Sequence, residues 1–339
     1  MKRKLETSEM IFKVISYTLL CVFALACLYP FVYAVSASVS SAHSVDYGKV
    51  VLFPPVLETE TQENLDTGAR ELQEGEVVIA SVPDFLTKEP TVVIFDQKEI
   101  QFEAFASMFN NNMFWNSYSN TLFLTFYGTI WSLFVAILGG YALSKKRLLF
   151  RRFFNFFLVF TMLFSAGLVP QYLNYLDTQV VFKAIGINDD KWLVVIAMGM
   201  AAMNIILLRN AFEGVPSEIE EAAIVDGATE FQVLSKVYIP MSKSTIATVA
   251  LFFAISRWNG YFWAKQMIQN HNERPLQVFI RQTLDNMMDP EQAAGWNEVY
   301  SADSVIYALI VCSIVPILII YPFIQKYFAK GVNMGGVKE

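Results

Sequence analysis

Six long apolar stretches divide this chain, and they fix its class before any motif is read. A bilayer core of about 30 Å is crossed by roughly 20 residues of apolar helix. The runs are Val14–Val39, with Pro30 inside it; Thr121–Leu143; Phe153–Val169, closed by Pro170; Trp192–Leu208; Thr245–Phe262, interrupted by Arg257; and Val305–Phe323, with Pro316 inside it. Prolines are tolerated there because neighbouring helices can satisfy the freed carbonyls. Composition agrees. Hydrophobic residues make up 55% of the 339 and charged residues 17%, against about 45–50% and 25% in soluble domains. A chain this apolar cannot stay solvated and disordered. The net charge of −6 leaves no basic surplus for nucleic acid. Cys21, Cys27 and Cys312 lie inside apolar runs, and His43 and His271 are the only histidines. No disulfide framework, zinc site or histidine-based triad is readable from them. The fold class is an all-α polytopic membrane protein.

Residues 24–27, Ala-Leu-Ala-Cys, look faintly like a lipoprotein cleavage site. The apolar run continues past Cys27 to Val35, too long for a signal core, so a retained helix is expected. Orientation follows from basic residues near the span ends. Lys2, Arg3, Lys4 and Lys13 precede the first run. Lys145, Lys146, Arg147, Arg151 and Arg152 follow the second, Arg209, Lys236 and Lys243 follow the fourth, and Lys326, Lys330 and Lys338 close the chain. With six spans these segments share one side, so both termini are expected in the cytoplasm. The expected division is residues 1–13, a cytoplasmic N-terminus; 14–39, the first span; 40–118, an extracellular acidic insert; 119–325, the membrane core; and 326–339, a cytoplasmic tail.

The acidity is concentrated in the insert. Between Glu58 and Glu103 the acids far outnumber Arg70, Lys88 and Lys98, while the rest of the chain is net positive. Two β-like runs, Val77–Val78–Ile79 and Val92–Val93–Ile94, are separated by Pro83, Asp84 and Pro90. A small hairpin or mini-domain that docks a partner and a solvated acidic loop are equally compatible with this pattern.

The connection between the fourth and fifth runs, residues 215–240, is the most informative stretch. Ser217 followed by Glu220 has the form of a capping box. The early acids Glu218, Glu220 and Glu221 suit the positive end of a helix. Gly227 is the natural left-handed residue past its end. Thr229 with Gln232 forms a second capping box, and Pro240 is expected to stop the second helix. Two short helices with a sharp glycine turn result, with a mixed surface suited to a socket in another protein.

This stretch resembles the EAA loop of binding-protein-dependent ABC importer permeases. Glu221-Ala222-Ala223, then Gly227 after three residues, then Pro240 follow that pattern, with Val237 and Ile239 as mild apolar departures. Tyr29-Pro30-Phe31, Phe114-Trp115-Asn116-Ser117, Asn120-Thr121, Phe164 to Pro170, Trp258-Asn259 and the tail from Tyr321 through Phe328 to Gly331-Val332 and Gly335 to Lys338 are similar to the family as well. Within the family the chain looks like the second membrane subunit of maltose-type oligosaccharide importers, in the branch for pectin-type and other complex oligosaccharides. Residues 55–98 depart from the compact family pattern.

The resemblance implies six transmembrane helices of the type I importer fold in a bacterial plasma membrane, surrounded by lipid. It implies a second six-span permease, two copies of a cytoplasmic ABC ATPase, an extracellular solute-binding protein and an oligosaccharide as partners. No phosphate-binding loop is present, since His43 stands where Gly48-Lys49 would need an upstream glycine. Energy must then come from Mg-ATP in the partner ATPases, with no cofactor and no catalytic residue in this chain. In the family the EAA helix docks in an ATPase groove and moves with it. On that basis Glu221 makes polar contact, Ala222 and Ala223 permit close approach, Gly227 sets the bend, and Asp226 and Pro240 complete the coupling set. Intramembrane polar residues are functional suspects, so Asn204, Arg257, Trp258 and Asn259 are candidates for the solute path. Interface anchoring is the competing account of the aromatic residues near Arg257. An importer for another solute, such as a peptide or an anion, a stand-alone secondary transporter and a membrane enzyme are the alternatives. No internal repeat supports the second, and no nucleophile–base or metal constellation supports the third.

Overall fold

The computed structural model describes residues 7–40, 45, 50, 57–61, 76–83, 90–96, 102–164, 166–287 and 302–331. Residues 2–4, His43, Gly48-Lys49 and the tail from Val332 to Lys338 lie outside the described residues. In chain order the elements are α1 (Thr7–Ser38), β1 (Leu57–Thr61), β2 (Glu76–Pro83), β3 (Pro90–Asp96), α2 (Glu103–Phe109), α3 (Asn112–Ser144), α4 (Arg151–Leu163), α5 (Leu168–Ala184), α6 (Asp190–Ala197), α7 (Ala202–Glu213) and α8 (Ser217–Val225). There follow α9 (Glu230–Met241), α10 (Lys243–Trp258), α11 (Phe262–Met267), α12 (Leu276–Met287) and α13 (Ala302–Gly331). The chain clusters into two compact units, Met1–Asn111 with Gln282–Val315, and Asn112–Arg281 with Pro316–Glu339.

In the first unit, α1 is apolar on every side and exposes most of its length, the pattern of a helix solvated by lipid. The insert folds into a three-stranded antiparallel sheet in the order β1-β3-β2. Leu57 pairs with Phe95 and Thr61 with Thr91, while Glu76 pairs with Asp96 and Pro83 with Pro90. A bulge lies between Val78 and Ala80. The two β-like runs therefore lie in strands.

The second unit is built on α3, whose 33 residues extend about 50 Å. Gly128, Ser132, Ala136 and Gly140 recur every four residues and are all buried, so one face of the helix is a stripe of small side chains. Small residues let backbones approach closely in membranes. A Cβ on Gly140 would stand 2.9 Å from Leu208 Cβ, which shows how tightly α7 lies on that stripe.

Three apolar runs belong to bent helix pairs. The third was expected to end at Pro170. Instead α4 stops at Leu163, Gly167 takes φ +85°, and α5 begins at Leu168 after a 115° turn. Pro170 sits in the first turn of α5, where no N–H is needed, so it starts a helix rather than closing one. The aromatic side chains of Phe153, Phe154, Phe156, Phe157 and Phe160 on α4 are exposed. The fourth run breaks between α6 and α7 by 49°. Gly199 lies against Trp131, whose Nε1 donates to the Ile196 carbonyl at 3.3 Å. The fifth run belongs to a pair, α9 and α10, bent by 86°. Its C-terminal end stops at Asn259, with α11 separate.

Candidate functional site

The bent loop between α7 and α10 is built from its caps. Pro216, in extended backbone, precedes α8, and Ser217 is already inside the helix. The expected Ser217–Glu220 capping box is therefore absent. The Glu220 carboxylate is drawn the other way, to Lys145 and Tyr238. At the far end, Gly227 takes φ +82°. Its N–H donates to the Ile224 carbonyl and that of Ala228 to the Ala223 carbonyl, both at 3.0 Å. That pair of bonds is a complete Schellman motif. Nothing lies within 4 Å of a Cβ placed on Gly227, so the glycine is required by backbone conformation and not by space. Thr229 and Gln232 form the expected reciprocal capping box at the start of α9.

Pro240 does not stop α9, which continues to Met241 and turns at Ser242. The physical reason is the turn before it. Leu234–Tyr238 is a π-helix, closed by the Ile239 N–H donating to the Leu234 carbonyl. The widened turn accommodates a residue that lacks an N–H and crowds the carbonyl four residues back.

The loop has two faces. Ala223, Ala228, Val233, Leu234 and Tyr238 pack inward against Tyr141, Leu143, Leu208 and Phe212. Outward, Glu221, Ala222, Asp226 and Gly227 are exposed. So are Ile219, Ile224, Val225 at 86% and Phe231 at 72%. Single exposed apolar side chains are ordinary, but these four are gathered on one bent loop beside Glu221 and Asp226, and a gathered apolar patch is one form an interaction surface takes.

Behind the bend lies a polar cluster that sequence reasoning did not single out. Lys145 Nζ is 2.6 Å from Glu220 Oε1, and Tyr238 donates its hydroxyl to Glu220 Oε2 at 2.5 Å. Tyr141 donates to Glu230 Oε2 at 2.8 Å, and Arg147 pairs with the same carboxylate. Arg151 and Arg209 both reach Glu213 at the end of α7. Burial opposes ionisation of Glu220, but the hydrogen bonds from Lys145 and Tyr238 and the nearby charges of Lys145 and Arg147 outweigh it. They hold the carboxyl below its usual 4.5. The run of basic residues after Ser144 reads in sequence as a topology signal. Only the fold shows Lys145 turned inward.

The solute-path candidates do not form one group. Asn204 is buried in the first turn of α7. Arg257 is 8% exposed and donates to the carbonyls of Val194, Val195 and Met198 and to Ser132 Oγ. It thus fills the end of α6 where the fourth span breaks, lying across Gly128. Trp258 is buried and meets Tyr118 edge to face, ring centres 6.2 Å apart. Asn259 caps α10, donating to the Ile255 carbonyl at 3.0 Å, and is exposed.

Long apolar helices, bent apolar helix pairs and an exposed, glycine-turned loop describe a helical membrane protein. Residues 104–334 match the family of binding-protein-dependent transport system inner membrane components. The chain belongs to that family, the membrane permeases of ABC importers. It is 30% identical to the polygalacturonan/rhamnogalacturonan transport system permease protein YtcP of Bacillus subtilis, over 97% of this chain and 98% of that one. It is 27% identical to the maltodextrin transport system permease protein MdxG of the same organism, over 70% and 80%. Among solved structures it resembles a chain of a bacterial ABC transporter involved in the import of the acidic polysaccharide alginate. The TM-score is 0.75 and the identity 36%, covering 96% of this chain and all of that one.

Proposed function

We propose that this permease carries acidic oligosaccharides, and that residues 215–240 are the lever through which ATP hydrolysis moves it. The observation that carries the lever is the bent loop itself. A Schellman turn at Gly227 and a capping box at Thr229 fix its shape, and its apolar outer face has no partner among the described residues of this chain. Glu221, Ala222 and Asp226 stand on that outer face, where an ATPase groove would meet them, while Ala223 faces the permease's own core. On this reading the loop and both termini are cytoplasmic. A second permease completes the pathway, two ABC ATPases supply Mg-ATP chemistry, and an external binding protein delivers the solute. The acidic-sugar assignment is supported by end-to-end similarity to permeases of polygalacturonan and alginate transport, insert included. Of the path candidates, Asn259 is the one left exposed to meet a hydroxyl or carboxylate, so this chain supplies few solute contacts.

The test is ATP hydrolysis by the assembled transporter, with its binding protein loaded in turn with galacturonate oligomers, alginate oligomers, maltodextrins and peptides. Stimulation by a uronate oligomer is expected. Stimulation by maltodextrin or peptide alone would overturn the substrate class.

A further inference from the structure

The polar cluster behind the bend ties both helices of the loop to one end of α3. Lys145 stands one residue past α3 with 10% of its side chain exposed, and Glu220 has 17%. The ammonium lies 4.3 Å from the ring centre of Tyr141 and 4.0 Å from that of Tyr238. The two rings meet edge to face with centres 5.1 Å apart. α8 enters the cluster through Glu220, and α9 enters it through Tyr238 and Glu230. An exposed ion pair contributes little. A cation shielded between two aromatic faces and bonded to a carboxylate is held more firmly.

The covalent paths out of the loop run back into α7 and on into α10. The path into α10 passes through a π turn and an 86° bend at Ser242, and such irregular joints are where helices hinge. The cluster adds a non-covalent connection, to α3, that bypasses this joint.

We infer that Lys145, Glu220 and Tyr238 form a clamp that carries movement of the bent loop sideways into α3. Glu220 is then a positioning residue for transport in addition to its outward neighbour Glu221. The inference rests on the reading of the loop as the ATPase lever.

It is tested in proteoliposomes holding the whole transporter, with solute uptake and ATP hydrolysis measured in the same vesicles. Lys145→Met and Glu220→Gln are expected to lower the solute moved per ATP by about fivefold or more, as for groups coupled in one cluster. Lys145→Arg keeps a cation over both rings and is expected to restore most of the ratio. Tyr238→Phe keeps the ring, loses only the hydroxyl, and is expected to lower the ratio by a smaller factor. A wild-type ratio in both Lys145→Met and Glu220→Gln overturns the clamp, as does Lys145→Arg behaving like Lys145→Met. If the Met and Gln variants do not assemble, Tyr238→Phe decides, and an unchanged ratio there overturns it. Absence of ATP-driven uptake in the wild-type complex would instead count against the lever itself.

Discussion

At Gly227 the backbone alone sets the requirement. Its φ of +82° is open to glycine, and there is free space where a Cβ would stand. Gly227→Ala is therefore expected to lower stability by about 1 kcal/mol, and Gly227→Asn by less, because asparagine tolerates the left-handed region. Melting of the purified permease in detergent would show the ranking, and an alanine variant as stable as wild type would contradict it. Gly227→Pro cannot adopt that φ and removes the N–H bonded to Ile224. Transport is expected to be lost while the protein stays in the membrane. Glu220 carries a pH signature. Its folded-state pKa lies below the ordinary value, so its ion pair contributes above that value. The contribution is lost as pH falls through the lower, folded-state value. The melting difference between wild type and Glu220→Gln should hold from neutral pH to near 5 and shrink in stronger acid. A difference that grows in acid would reverse the sign. The sequence marked Gly227 because left-handed turns have a one-residue signature. It could not mark Glu220 over Glu221, because the choice depends on Lys145, 75 residues away.

Helix breaks were the hardest elements to read. Apolar runs show where a chain can enter a bilayer, but a bend depends on whether another helix takes up the freed carbonyls. In the fourth span Arg257 and Trp131 do so, reaching in from α10 and α3. Sequence reasoning placed Arg257 among solute-path candidates as an intramembrane polar residue; the carbonyls it bonds are some 60 residues away and could not be read from its neighbours. The packing predicts a non-additive pair. A Cβ on Gly128 would stand 2.9 Å from Arg257 Nε and 3.0 Å from its Cδ. Gly128→Ala should destabilise the wild type by about 1–3 kcal/mol through overpacking, and much less in an Arg257→Met background, where a flexible unbranched chain can yield. Additive melting shifts would show that the two residues do not share this site. The π turn before Pro240 follows the same logic. Proline announces a disturbance in a helix, but not whether the helix ends or widens.

Over the whole molecule, the apolar runs, the basic segments between them and the loop pattern gave the class and the family. The acidic insert was legible only as charge with two β-like runs, since a third strand, Leu57–Thr61, carries two glutamates and no β-branched aliphatic residue. The part of the insert that departs from the family pattern, residues 55–98, lies outside the stretch that matches the family model, residues 104–334. Deleting residues 58–98 is expected to leave the permease core folded and inserted, as judged by its elution from a size column in detergent. Aggregation of the deletion variant would show that the insert supports the core. The central claim is that the outer face of the bent loop meets the ATPase inside the cell. A photo-crosslinking amino acid at Val225, the most exposed apolar position of that loop, tests it most directly in membranes holding the whole transporter. The account predicts capture of the ATPase subunit, altered in yield when a non-hydrolysable ATP analogue is added. Capture of the external binding protein, or of no subunit at all while transport persists, would contradict it.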